Sequence, residues 1–102
     1  MAARIRYLVL YDIRDARRLR RVHEVAVDYG EMLQYSVYVC DLSRQEYVRL
    51  RAALREQMNL KVDSLSVFDL GPADGHVAWR VDHLGRPPRA VPARAPDDGI
   101  VW

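Results

Sequence analysis

The chain has 102 residues, half of them apolar, which is enough for one domain with its own core and too short for two. Sixteen basic residues against fourteen acidic ones leave a net charge of +2, too small to identify a nucleic-acid binder by its amount, so the placement of charge has to decide. The single cysteine, Cys40, excludes an internal disulfide, no apolar run approaches the roughly 20 residues of a membrane helix, and no stretch has the pattern of a secretory leader, so a soluble protein of the reducing cytoplasm is expected.

Residues 5–12, IRYLVLYD, are β-branched, aromatic and aliphatic on both alternating faces, with Ile5, Tyr7, Val9 and Tyr11 on one and Leu8 and Leu10 on the other. That pattern predicts a central strand covered on both sides. Asp12 falls at its carboxyl end. From Asp15, a suitable N-cap, the spacing becomes helical. Leu19, Val22, Ala26 and Tyr29 form an apolar stripe, and Gly30 is placed to stop the helix. Arg14, Arg17, Arg18 and Arg21 fall at i, i+3, i+4 and i+7, on the opposite face. Fifteen of the sixteen bases are arginine, a bias that composition alone accounts for, although the guanidinium also suits phosphate.

Residues 32–42 return to period two, as one long strand or as two short ones broken near Ser36. Ser43 and Glu46 make a capping box, and Tyr47, Leu50, Leu54 and Met58 form the buried stripe of a second helix. Residues 63–70 are a further strand, ended by Gly71 and Pro72. WRVDHL, residues 79–84, has the composition of an extra strand, whereas residues 85–96 carry four prolines and no periodicity, as in an extended arm. The final GIVW is apolar and β-prone, which suits a segment that docks on something. The organisation expected is a core domain over 1–72, an additional strand and loop over 73–86, and a proline-rich arm over 87–102.

Strand, helix, a strand whole or split in two, helix, strand suggests the α+β ferredoxin-like βαββαβ sandwich, in which two helices cover one face of an antiparallel sheet. A first strand that is apolar on both faces then needs a second cover. A second copy meeting it sheet to sheet is the simplest supplier, so an isologous homodimer is expected.

Asp12 has two readings. It is either an acid that caps the next helix or pairs with Arg14, Arg17 or Arg18, or a functional carboxylate held at a strand end. One carboxylate is a poor metal site, but two related by a dimer axis can share a cation that activates water against a phosphodiester. The arginine face is either a solvated surface or a set of phosphate contacts that position a polyanion without reading its sequence. His23, His76 and His83 lack the spacing of a zinc site, and Cys40 reads as a packed thiol. Tyr11, Tyr35 and Tyr38 read as core or interface aromatics, with a strand-edge hydroxyl also able to orient water or phosphate.

The Tyr11-Asp12 pair, the arginine-rich first helix, the QYSV segment at 34–37, the capped second helix and DSLSVFDLG resemble the CRISPR-associated protein 2 family. The resemblance covers residues 5–70 and, more loosely, runs to residue 85. It implies a sheet-to-sheet homodimer and a place in spacer acquisition, bound to the CRISPR integrase, CRISPR-associated protein 1, and to double-stranded DNA. It also implies Mg²⁺-dependent endonuclease activity on RNA or DNA, with Asp12 as metal ligand and catalytic residue, Tyr11 beside it, and Arg18, Arg21 and Arg17 as the matching arginines, Arg14 being the fourth candidate for nucleic-acid contact. The family often has Phe where this chain has Tyr38, which keeps the ring and adds a hydroxyl. By the same resemblance, the apolar end of the arm adds a strand to a neighbouring sheet, in the partner protomer or the integrase. Two alternatives stand beside the nuclease: a non-catalytic platform joining integrase and duplex, and a toxin-like ferredoxin-fold dimer with no CRISPR link.

Overall fold

In a computed structural model of the chain, which describes residues 3–73, 82 and 84–86, each predicted element of the core is present. Strand β1 (Ile5–Asp12) leads to helix α1 (Ala16–Val27), then β2 (Glu31–Gln34), β3 (Val37–Leu42), α2 (Arg44–Gln57) and β4 (Ser64–Pro72). The expected strand over 79–84 and the arm over 87–102 lie, almost entirely in the first case and wholly in the second, outside the described residues.

The sheet order is β2-β3-β1-β4 and every pairing is antiparallel, the ferredoxin-like arrangement. The 32–42 segment is therefore a hairpin broken at Tyr35 and Ser36, not one long strand. The helix starts follow from their caps. The Asp15 carboxylate accepts from the Arg18 amide, and Ser43 and Glu46 close the capping box in both directions.

Both helices lie on the face of the sheet to which Val9, Tyr11, Tyr38, Cys40 and Leu42 point. These side chains form the core with Ile13, Val22, Ala26, Leu50 and Leu54. Tyr7 stacks on Tyr47 of α2 at 4.4 Å between ring centroids. Burial pushes the Cys40 thiol up to about 11, as expected of a packed side chain.

Two punctuation marks show in detail how their elements end. Gly30 does not end α1 through a left-handed turn: α1 ends at Val27, and the Gly30 amide closes back on the Ala26 carbonyl at 3.0 Å. What requires glycine there is space, because a Cβ would run into the Cys40 sulfur and the Val39 carbonyl of β3. Pro72 ends the regular part as expected, being the last residue of β4, two residues beyond the strand expected over 63–70, and sits opposite Ile5. A register shift between Ile5 and Tyr7, with Gly71 at φ 88°, carries the strand past the proline; the register leaves the other side of β4 at the sheet edge, where a missing N–H is tolerated.

Candidate nucleic-acid and metal site

Alternation along β1 puts Tyr11 and Asp12 on opposite faces of the sheet. Tyr11 points under the helices and is 6% exposed. Its ring stacks beside Tyr38, whose hydroxyl meets Nδ1 of His23 at 2.5 Å. The Tyr11 hydroxyl lacks a partner of normal hydrogen-bond geometry, and burial, followed by the neighbouring Tyr38, raises its pKa. The hydroxyl by which this chain departs from the usual Phe is thus accommodated by His23. Tyr11, expected beside Asp12, is a core residue, and a phenol held protonated under two helices does not share a cleft with that carboxylate.

Asp12 is exposed, on the helix-free face, directly opposite Ser64 of β4. It caps nothing, since Asp15 does that, and none of the ion pairs among the described residues involves it. The ion-pair explanation of this acid is therefore not realised. The main-chain amide of Tyr11 donates to Ser36 O at 3.1 Å, so the QYSV turn is fastened to the same strand end.

The arginines divide into two kinds. Arg18 lies one helical turn before Val22 and two before Ala26, at the border of the buried stripe, and reaches inward. Its Nε and Nη2 donate to the two carboxylate oxygens of Asp63 at 2.8 and 3.1 Å. The Asp63 side chain is 1% exposed, and the Arg18 fork holds its pKa below the ordinary carboxylate range. Arg18, expected on the outer basic face, instead ties α1 to the turn before β4. Arg14, also expected on that helical face, lies in the loop before α1, whose first residue is Ala16.

The basic surface consists of Arg17 and Arg21 on α1, Arg14 in the loop, and Arg20, which the sequence reading passed over although it shares the i, i+3, i+4 spacing of Arg17, Arg20 and Arg21. All four are exposed and in no ion pair among the described residues. Asp63 was also missed. It lies 45 residues from its arginine, and nothing local in the sequence signals the contact.

The helix-free face has charged ends and an apolar middle. At one end Arg6 of β1 forks onto Asp41 of β3 at 2.6 and 2.7 Å. The middle is Leu8, Leu10, Val37 and Val39, with Phe68 of β4 53% exposed. Asp12 and Ser64 occupy the other end. Among the described residues no three acidic, His or Cys side chains converge, so one chain offers a divalent cation a single carboxylate here. That donor set fits Mg²⁺ held mostly by water and phosphate, and fits a closed structural metal site poorly.

Residues 5–74 match the family model for CRISPR associated protein Cas2. The chain belongs to the Cas2 family. It is 36% identical over 86 residues to the CRISPR-associated endoribonuclease Cas2 3 of Synechocystis sp., which spans 84% of this chain and 90% of the relative. It is 39% identical over 80 residues to the CRISPR-associated endoribonuclease Cas2 of Geobacter sulfurreducens, spanning 78% and 83% of the two chains. Among solved structures, Streptococcus pyogenes Cas2 superposes with a TM-score of 0.70 at 33% identity, covering 78% of this chain and 99% of that one. The Cas2 match takes in β1 to β4 and so includes Asp12, both kinds of arginine and the open sheet face.

Proposed function

We propose that this Cas2-family chain is a Mg²⁺-dependent endonuclease, acting on RNA or DNA as a homodimer in the cytoplasm. Two copies meet through the open sheet face, and Asp12 of each contributes to one cation site. The observation that carries the reading is the Asp12 carboxylate itself: exposed, unpaired among the described residues, and fixed by the strand ladder beside an uncovered apolar band. The endoribonuclease names of the relatives support the same chemistry.

In this reading Asp12 holds the cation through one carboxylate, and the dimer supplies the second acid that one chain lacks. Mg²⁺ held by Asp12 would supply positive charge to offset that of the scissile phosphate and would lower the pKa of attacking water. Arg14, Arg17, Arg20 and Arg21 bind flanking phosphates and keep the polyanion over the strand end. Arg18 acts one step removed, by holding the first turn of α1 against Asp63 so that the outward arginines stay in place.

The test is Asp12→Asn in the full chain, assayed on single-stranded RNA and on duplex DNA with and without Mg²⁺. Cleavage should fall to background, while the far-ultraviolet dichroism and thermal midpoint stay unchanged. Cleavage at the parent rate would overturn the assignment.

A second reading is favoured by the arginines alone. Four exposed guanidiniums, in no ion pair among the described residues, also serve a platform that holds duplex DNA against the CRISPR integrase during spacer acquisition, with no need of hydrolysis. Each phosphate contact contributes about 0.9 to the slope of log affinity against log salt for duplex DNA. Replacing Arg17 and Arg21 by Ala should flatten that slope, and Arg18→Ala should lower stability. If Arg18→Ala flattened the slope and the outward pair did not, the division of the arginines would be wrong.

A further inference from the structure

The end of the sheet that carries Asp12 also carries an aromatic side chain that the proposed reaction does not use. Tyr35 stands in the two-residue turn between β2 and β3, 74% exposed, and its ring meets no other ring among the described residues. The turn is fastened to the end of β1 by the bond from the Tyr11 amide to the Ser36 carbonyl at 3.1 Å. Tyr35 and Asp12 are each one residue from that bond, so the tip of the hairpin stands beside the carboxylate.

Turn chemistry does not account for a tyrosine at this place. A two-residue connection between antiparallel strands is most at ease with Asn-Gly or Asp-Gly, whose backbones take positive φ. Here the pair is Tyr-Ser, and among the described residues only glycines have positive φ. The hairpin compensates in its ladder: Met32 pairs with Tyr38 and Gln34 with Val37, which leaves Leu33 as an extra residue in β2. A bulge of this kind bends the strand and re-aims the side chains beside it. Core packing does not account for Tyr35 either, because a ring so exposed buries little apolar area. The hairpin thus forgoes its preferred turn residues and a regular ladder without burying the ring, and local rules broken in this way mark functional positions.

We propose that Tyr35 is a stacking platform for an unpaired base of the polyanion whose backbone lies over Asp12 and the outward arginines. Every base has a π-face, so an exposed ring holds a single strand without reading its sequence. A duplex hides those faces in its own stack, and the contact therefore favours a strand that is unpaired where it passes Asp12. The arginines hold phosphates, and Tyr35 fixes the base beside the phosphate that Asp12 approaches. The proposal rests on the nucleic-acid reading of this strand end and adds to it a base contact outside the cation site.

The test separates binding from cleavage by using the full chain in EDTA with a single strand of about 12 nucleotides, in RNA and in DNA form. Tyr35→Ala should weaken binding about 5- to 150-fold, the range for loss of one base stack, while Tyr35→Phe should bind as the parent does. Neither should alter the slope of log affinity against log salt, because no phosphate contact is lost, nor the affinity for closed circular duplex DNA. A fluorescent adenine analogue in the strand should be quenched by stacking on the parent and on Tyr35→Phe, and less on Tyr35→Ala. Parent-like binding of the strand by Tyr35→Ala would overturn the proposal. So would an equal loss in Tyr35→Phe, which would make the hydroxyl the contact, or an equal loss on circular duplex. A loss that accompanies a fall in the sedimenting mass would overturn it too, by giving the ring to a second copy. Cleavage that survives Asp12→Asn would sink the nuclease and leave these binding results as they are, so the two readings fail separately.

Discussion

Within β1, Val9 and Tyr11 point under the helices and are 1% and 6% exposed, whereas Leu8 and Leu10 point to the other side and are only half-buried. The two sets are similarly apolar, so the strand alone cannot say which face the chain will cover. Two helices carry one apolar stripe each, and both stripes are spent on the Val9 side. Among the described residues the Leu8 side keeps an uncovered band between the Arg6–Asp41 pair and Asp12. A two-faced strand in a two-layer fold therefore says that the described residues leave one of its faces without a cover, and that face is the one on which Asp12 stands.

The strongest way to break this comparison is to truncate one leucine on each side. Leu54, 2% exposed in the helix-side core, should lose about 2–5 kcal/mol on change to Ala. That cost should be the same at every protein concentration. If two copies meet through this face as proposed, Leu10→Ala should destabilise little in dilute solution and more as concentration rises, because its loss is then felt only in the dimer. Urea unfolding of both variants across a hundredfold range of concentration makes the measurement. If Leu10→Ala cost as much as Leu54→Ala at the lowest concentration, the open face would be part of the monomer's own core.

Gly30→Ala sharpens the same contrast from the backbone side, with a smaller effect. The added methyl meets the Cys40 sulfur and the Val39 carbonyl, and the carbonyl belongs to a strand laddered on both sides, so it cannot retreat. Overpacking of this kind costs about 1–3 kcal/mol. Cys40→Ala in the same chain should return part of the loss by vacating one of the two obstacles. A Gly30→Ala chain as stable as its parent would mean that β2 and β3 shift freely relative to α1.

The elements were legible in the sequence because their signals are local. Asp15 and Ser43 announce the helix starts, Glu46 completes its box three residues on, and the two helical stripes name the core residues before any coordinates exist. Asp12 was legible as well, though only as a carboxylate at a strand end. What the sequence could not supply were contacts between distant positions. The spacing that put Arg18 with Arg17 and Arg21 is correct as helix geometry, but it does not reveal that Asp63 waits on the other side of the Val22 stripe. In the same way, Tyr11 next to Asp12 reads as a pair in the chain and becomes two faces in the sheet. Gly30 was legible as a stop, but its need for space was not, because the obstacles are Val39 and Cys40 of β3, nine and ten residues later.

The smallest effect expected comes from acid, and it separates the two kinds of charge at this end of the molecule. Asp63 is held below the usual carboxylate pKa, chiefly by its bonds to Arg18, so the folded state binds that proton less readily than the unfolded chain does. Its contribution is complete above the unfolded value of about 3.9. It is lost as pH falls through the lower folded value, so stability should drop on acidification below about pH 4. Because more than a quarter of the Arg18 side chain meets solvent, the contribution should be modest and should shrink further in salt. Thermal midpoints followed from pH 6 to 3 should fall less steeply for Asp63→Asn than for the parent, starting from a lower value. A parent-like acid limb in Asp63→Asn would mean that the fork to Arg18 is not what holds the start of α1, and that the outward arginines owe their placement to the Asp15 cap alone.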